Sequence, residues 1–176
     1  LLKLRAETRR DHPFIVWAPF ERPAVTLTYG AFRERVGALA AGLARRGVKP
    51  GEFLLIHLDN CMEAILAWYA CVELGAIAVT TNTRSAGPEV AYFAGHCGAV
   101  AAITQPAYAD LVAANCPGLR WLAVTDNDGG EPAPAARMPE KAERFEALFA
   151  DTADRPSRPH DPHWPCSVQY TSGTTA

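Results

Sequence analysis

Thr171-Ser172-Gly173-Thr174-Thr175 places four hydroxyls and one glycine in five consecutive residues, directly after the short strand-like run Ser167-Val168-Gln169-Tyr170. Hydroxyls donate hydrogen bonds to phosphate oxygens, and a glycine lets backbone N–H groups turn toward an anion without a Cβ clash. A strand running into such a segment has the build of a phosphate loop. It is not a Walker loop, because no Gly-Lys-Ser/Thr follows a spaced glycine. Ser/Thr/Gly clusters are ordinarily polar turns, so composition alone leaves that alternative open.

Other residue types in the chain could also do chemistry. His160-x-x-His163-x-x-Cys166 has metal-ligand residues at regular spacing. Pro159, Pro162 and Pro165 break the segment and no fourth ligand is evident, so it is expected to be a plain surface loop with no metal. His57 lies in an apolar run and fits a hydrogen-bonded core histidine better than a base. His96-Cys97 falls at a helix end, where the helix dipole explains a histidine. Ser172 lacks the Gly-x-Ser-x-Gly elbow and an identifiable partner base, which argues against hydrolase chemistry. Asn82 and Arg84 follow a buried strand, where α/β folds hold ligands, yet a turn and a surface salt bridge account for them. No catalytic residue can be assigned from these residues.

The elements that would position the hydroxyl segment can be read from hydrophobic periodicity. Leu1 to Arg10 reads as a short helix; Phe14–Trp17 and Val25–Thr28 read as a loose hairpin or a pair of edge strands. Thr28 is placed to cap a helix whose apolar stripe is Phe32, Val36, Leu39, Ala40 and Leu43. Arg45, Arg46 and Gly47 supply its cationic last turn and left-handed stop. Phe53–Leu58 is a nearly continuous apolar run, as expected of a strand covered on both faces. Asn60, with Glu63 reaching back, is expected to cap a buried helix that Gly75 ends. The unit then repeats. A strand over Ala76–Thr80 precedes a helix with Pro88 in its first turn, and Ala99–Ile103, a helix over Ala107–Asn115 and Leu119–Val124 follow. Strands alternating with helices predict an α/β fold, a largely parallel sheet with helices on both faces.

From Asp126 to Pro165 the character changes. Half of the chain's 14 Pro fall here (positions 132, 134, 139, 156, 159, 162 and 165), which predicts an irregular connection with one amphipathic helix around Glu140–Phe149 and little to bury. The expected organisation is a βα sheet unit over 1–125, a Pro-rich connection over 126–165 and the start of a phosphate loop over 166–176.

Composition limits the function classes. The chain has 176 residues, of which 49% are hydrophobic and 20% charged, which fits a globular chain rather than a disordered one. Its 17 Lys+Arg against 19 Asp+Glu leave no basic excess for nucleic acid. Glu73 and Gly75 interrupt the longest apolar stretch, so no spanning helix is expected. The five cysteines (61, 71, 97, 116 and 166) are odd in number and scattered, as reduced cysteines of a cytoplasmic protein would be. The first residues carry charges throughout, unlike a signal peptide. The absence of an initiator Met leads to the expectation that the chain is a piece of a longer product.

The order of features carries a resemblance. Thr28-Tyr29 opening an amphipathic helix, Gly47-Val48-Lys49-Pro50-Gly51-Glu52, a buried strand ending in Asn60, Leu74-Gly75-Ala76, and Tyr170-Thr171-Ser172-Gly173-Thr174-Thr175 together resemble the adenylate-forming superfamily over essentially the whole chain. Thr80-Thr81-Asn82-Thr83-Arg84 is similar to the acyl-CoA ligase branch, of the carnitine/crotonobetaine or medium- to long-chain acyl type. The resemblance implies the first part of the large N-terminal domain of an adenylate-forming enzyme of fatty-acid metabolism. It implies ATP, Mg2+ and coenzyme A as co-substrates and a small carboxylic acid as substrate. It also implies a grip on the β- and γ-phosphates by Thr171, Ser172, Gly173, Thr174 and Thr175. Ala176 stands where the family usually has Gly. The acyl pocket and catalytic groups would lie past Ala176, so the segment alone is expected to be inactive. The alternative is a non-catalytic α/β nucleotide-binding or interaction module. Which acid is used, and the oligomeric state, cannot be read from these residues.

Overall fold

The computed structural model describes residues 2–19, 22–133, 138–154 and 161–171. Helix α1 (Leu2–Thr8) leads into a two-stranded antiparallel ladder of β1 (Pro13–Trp17) and β2 (Val25–Thr28). The hairpin expected from the sequence is thus present as a small separate sheet. Helix α2 (Tyr29–Arg45) follows at once, capped as expected: the Ala31 N–H donates to Thr28 Oγ1 at 3.2 Å. Gly47 then takes φ +81°, the left-handed stop that only a residue without a Cβ adopts freely.

Strand β3 (Phe53–His57), helix α3 (Met62–Leu74), strand β4 (Ile77–Thr80), helix α4 (Gly87–Cys97), strand β5 (Ala99–Thr104), helix α5 (Ala109–Asn115) and strand β6 (Leu122–Val124) form the repeating body. Helix α3 starts one residue later than expected. Cys61, not Asn60, is its N-cap, without a side-chain capping bond, because Cys61 is drawn into the core in extended conformation.

The Pro-rich connection departs further from expectation. Strands β7 (Asn127–Asp128) and β8 (Glu131–Pro132) form a minimal ladder, and β9 (Ala142–Arg144) joins the main sheet beside β6. A 3-10 turn over Phe145–Leu148 stands where an amphipathic helix was expected. Phe145 and Leu148 are fully buried, so this stretch contributes to the core rather than lying outside it. Strand β10 (Ser167–Gln169) completes the sheet.

The main sheet has six strands in the order β10-β4-β3-β5-β6-β9, with every adjacent pair parallel. Its two faces carry different cores. Leu54, Ile56, Ala78 and Ile103 pack with α2 and α3, whereas Leu55, Val79, Ala102 and Val124 pack with α4 and α5. Alternate residues of one strand serve opposite layers, as the two-residue period of a strand requires.

Candidate functional site

In a parallel sheet all strands end on the same side. Here the chain leaving β3 enters α3 on one face, while the chains leaving its neighbours β4 and β5 enter α4 and α5 on the other. Divergence of this kind opens the crevice in which α/β folds hold ligands.

Asp59, two residues past β3, occupies that crevice. Its Oδ1 accepts from the Thr83 hydroxyl at 2.5 Å, and its Oδ2 accepts from Gln105 Nε2 at 2.9 Å and the Tyr108 hydroxyl at 3.3 Å. The Asp59 N–H in turn donates to Gln105 Oε1 at 2.8 Å. One carboxylate therefore ties together the segments that follow β3, β4 and β5. Sequence patterning did not single out Asp59, Gln105 or Tyr108. The available signal was an acidic residue just past the end of a buried apolar strand.

His57 is fully buried beneath this knot, with Nδ1 2.8 Å from Thr81 Oγ1 and its ring edge-on to Tyr108. Burial lowers its pKa below the ordinary histidine value, against the opposing pull of the Asp59 charge. Its Nε2 is buried and makes no hydrogen bond among the described residues. The core-histidine expectation holds. Asn82 forms a turn, its Oδ1 accepting from the Arg84 N–H at 3.0 Å, and both side chains are exposed.

The root of the hydroxyl segment sits at the β4 edge of the crevice. β10 runs parallel to β4 with Ser167 opposite Ala78 and Gln169 opposite Thr80. The Tyr170 ring lies 4.5 Å from that of Phe93, and its hydroxyl is 2.9 Å from His96 Nδ1. Thr171 is exposed; Ser172, Gly173, Thr174, Thr175 and Ala176 lie outside the described residues. His163 and Cys166 are exposed and His160 lies outside the described residues. Among the described residues, no group of three His, Cys, Asp or Glu could hold a metal ion, and no helix is long and apolar enough to cross a membrane.

The sequence profile of the AMP-binding enzyme family matches residues 2–176. The chain belongs to that family. Among curated relatives, this AMP-binding family member is 34% identical over 93 residues to chalcone synthase cfoA of Aspergillus candidus, covering 53% of this chain and 3% of that protein. It is 30% identical over 87 residues to the crotonobetaine/carnitine–CoA ligase of Salmonella paratyphi A, covering 49% of this chain and 17% of the relative. The acetoacetyl-CoA synthetase of Streptomyces lividans superposes with a TM-score of 0.84 at 23% identity, over 99% of this chain and 28% of that structure. That superposition shows a shared fold. The chain spans less than a third of the length of each of these three proteins.

Proposed function

We propose that these residues are the amino-terminal part of an ATP-dependent ligase that activates a carboxylic acid as its acyl adenylate and passes the acyl group to coenzyme A. The observation that carries this is the family match together with the position of β10, whose C-terminal end lies beside that of β4, on the side of the sheet where α/β folds hold ligands. A carboxylate is a poor acylating agent. In the first step its oxygen attacks the α-phosphorus of ATP, the bond to the bridging oxygen breaks, and pyrophosphate leaves. In the second, a thiolate adds to the acyl carbon and AMP departs. The hydroxyls and glycine of residues 171–175 are anion-binding groups. Their role is to hold the β- and γ-phosphates while charge builds on the leaving pyrophosphate. Mg2+ would arrive with ATP and offset the charge of the triphosphate. The crotonobetaine/carnitine–CoA ligase relative supports an acyl group of the crotonobetaine or carnitine type. Five free cysteines fit a reducing compartment, and we place the enzyme in the cytoplasm.

The test uses the two half-reactions of the full-length protein. Gly173→Val should depress ATP–pyrophosphate exchange strongly, and Thr174→Ala should cost about 1–3 kcal/mol in that step, the scale of a hydrogen bond to a charged group. Thioester formation from synthetic acyl-AMP should change much less, because pyrophosphate has already left. Exchange at the wild-type rate in both variants would remove the phosphate-grip assignment.

A further inference from the structure

Tyr170 is the last residue before the hydroxyl segment, and it is fastened to α4 rather than to its own strand's neighbour. Its ring packs on Phe93, and its hydroxyl donates to the Phe93 carbonyl oxygen at 3.4 Å while lying 2.9 Å from His96 Nδ1. A phenol has one proton. With that proton directed at Phe93, the short contact to His96 is satisfied when Nδ1 carries a hydrogen and donates to the phenol oxygen. The His96 ring is in turn stacked on Tyr92, 5.3 Å away and 24° from parallel. Tyr92 and His96 are both exposed, so neither is needed to fill the core. β10 contributes three residues, Ser167–Gln169, to the ladder with β4. So short a strand holds the direction of the chain beyond it weakly, and a second tether immediately before Thr171 fixes where the hydroxyls start.

We propose that His96 and Tyr170 are positioning residues for the nucleotide: their contact sets the exit of the hydroxyl segment from the sheet and so pre-organises the phosphate grip. This rests on the phosphate-loop reading of residues 171–175. Neither side chain is assigned a contact with substrate. Their effect falls on the cost of ordering the segment around the triphosphate, and therefore on ATP rather than on the acid.

The experiment compares Tyr170→Phe, His96→Ala, His96→Asn and the double variant Tyr170→Phe/His96→Ala in the full-length protein, with Gly173→Val alongside. ATP–pyrophosphate exchange is measured with ATP and the acid varied separately. Tyr170→Phe keeps the ring and its packing, and His96 is exposed, so both variants should fold. Each is expected to raise the KM for ATP about two- to tenfold, the range of a single net hydrogen bond, with the KM for the acid unchanged. The double variant should be no worse than either single one, and His96→Asn, whose amide N–H takes the place of Nδ1–H, should restore most of the loss. Unchanged ATP KM in both single variants, additive losses in the double, or equal losses for ATP and acid would each overturn the proposal. If Gly173→Val abolishes exchange while these variants do nothing, the phosphate-loop reading stands and the tether alone falls. If Gly173→Val is silent, both fall together.

Discussion

A Cβ placed on Gly42 would lie 1.4 Å from the carbonyl oxygen of Leu148. Helix α2 and the turn that follows β9 therefore approach backbone to backbone, and only glycine permits it. The contact is reinforced around Arg46, whose guanidinium donates to both oxygens of Glu143 at 2.5 and 2.6 Å and to the Ala147 carbonyl oxygen at 2.6 Å. Gly42→Ala is expected to push the two segments apart and to destabilise the protein by at least the roughly 1–3 kcal/mol typical of overpacking, because the obstacle is backbone. A denaturation midpoint equal to wild type would show that the turn can detach without cost.

Asp59 joins three segments through a carboxylate whose donors include the buried Gln105. Asp59→Ala leaves the Gln105 amide without its acceptor, at a cost of about 1–3 kcal/mol. Limited proteolysis should then gain cuts between Thr104 and Tyr108. Stability and cleavage pattern both unchanged would mean that the three segments are held independently.

His57 supplies a pH dependence. Its folded pKa is below 6.5 because burial penalises the cation. As pH falls through 6.5 the unfolded chain takes up a proton that the folded chain refuses. Stability therefore declines from neutral pH down to the lowered folded value and then levels off. Urea midpoints measured between about pH 7 and pH 5 should fall less steeply for His57→Gln, which lacks the titration. Parallel slopes for the two proteins would show that the imidazole charges freely in the fold.

The cysteines differ in exposure and should differ in reactivity. Burial pushes the Cys61 and Cys71 thiols up to about 12, which leaves almost no thiolate near neutral pH. Cys166 is exposed and Cys97 is half-buried. Iodoacetamide followed by peptide mass spectrometry should label Cys166 first, Cys97 slowly, and Cys61 and Cys71 only after unfolding. Early labelling at Cys71 would contradict the packing of α3 against the sheet.

The repeating body was legible because its signals are local and periodic. Four apolar runs gave strands, Thr28 gave a cap, and Gly47 and Gly75 gave helix stops, both with positive φ. The stretch from Ala142 to Leu148 was not legible, and the reason is geometric. Phe145 and Leu148 are three residues apart, a spacing that an α-helix and a 3-10 turn share, and nothing local announces that Ala142–Arg144 will pair with β6. The Asp59 knot was hidden for a related reason. Its partners Thr83, Gln105 and Tyr108 lie far along the chain, in segments whose polarity follows no period. The hydroxyl cluster was visible by composition, whereas its tether to α4 depends on which strand β10 joins.

The place of β10 in the sheet also has a consequence for the order of events during folding. Its partner, β4, was synthesised much earlier: Ser167 lies opposite Ala78, roughly ninety residues back, and the entropy lost in closing a loop grows with the logarithm of its length. β4 reaches β3 across one helix and β5 reaches it across two, both over shorter stretches of chain than the one from β10 back to β4, so those pairings are cheaper to nucleate and come first. Docking of β10 then belongs after the rate-limiting barrier, and Val168→Ala should accelerate unfolding while leaving the refolding rate in stopped-flow mixing almost untouched. A phosphate ligand gripped beyond β10 would accordingly act as a brake on unfolding, lengthening the lifetime of the native state without helping the chain to reach it.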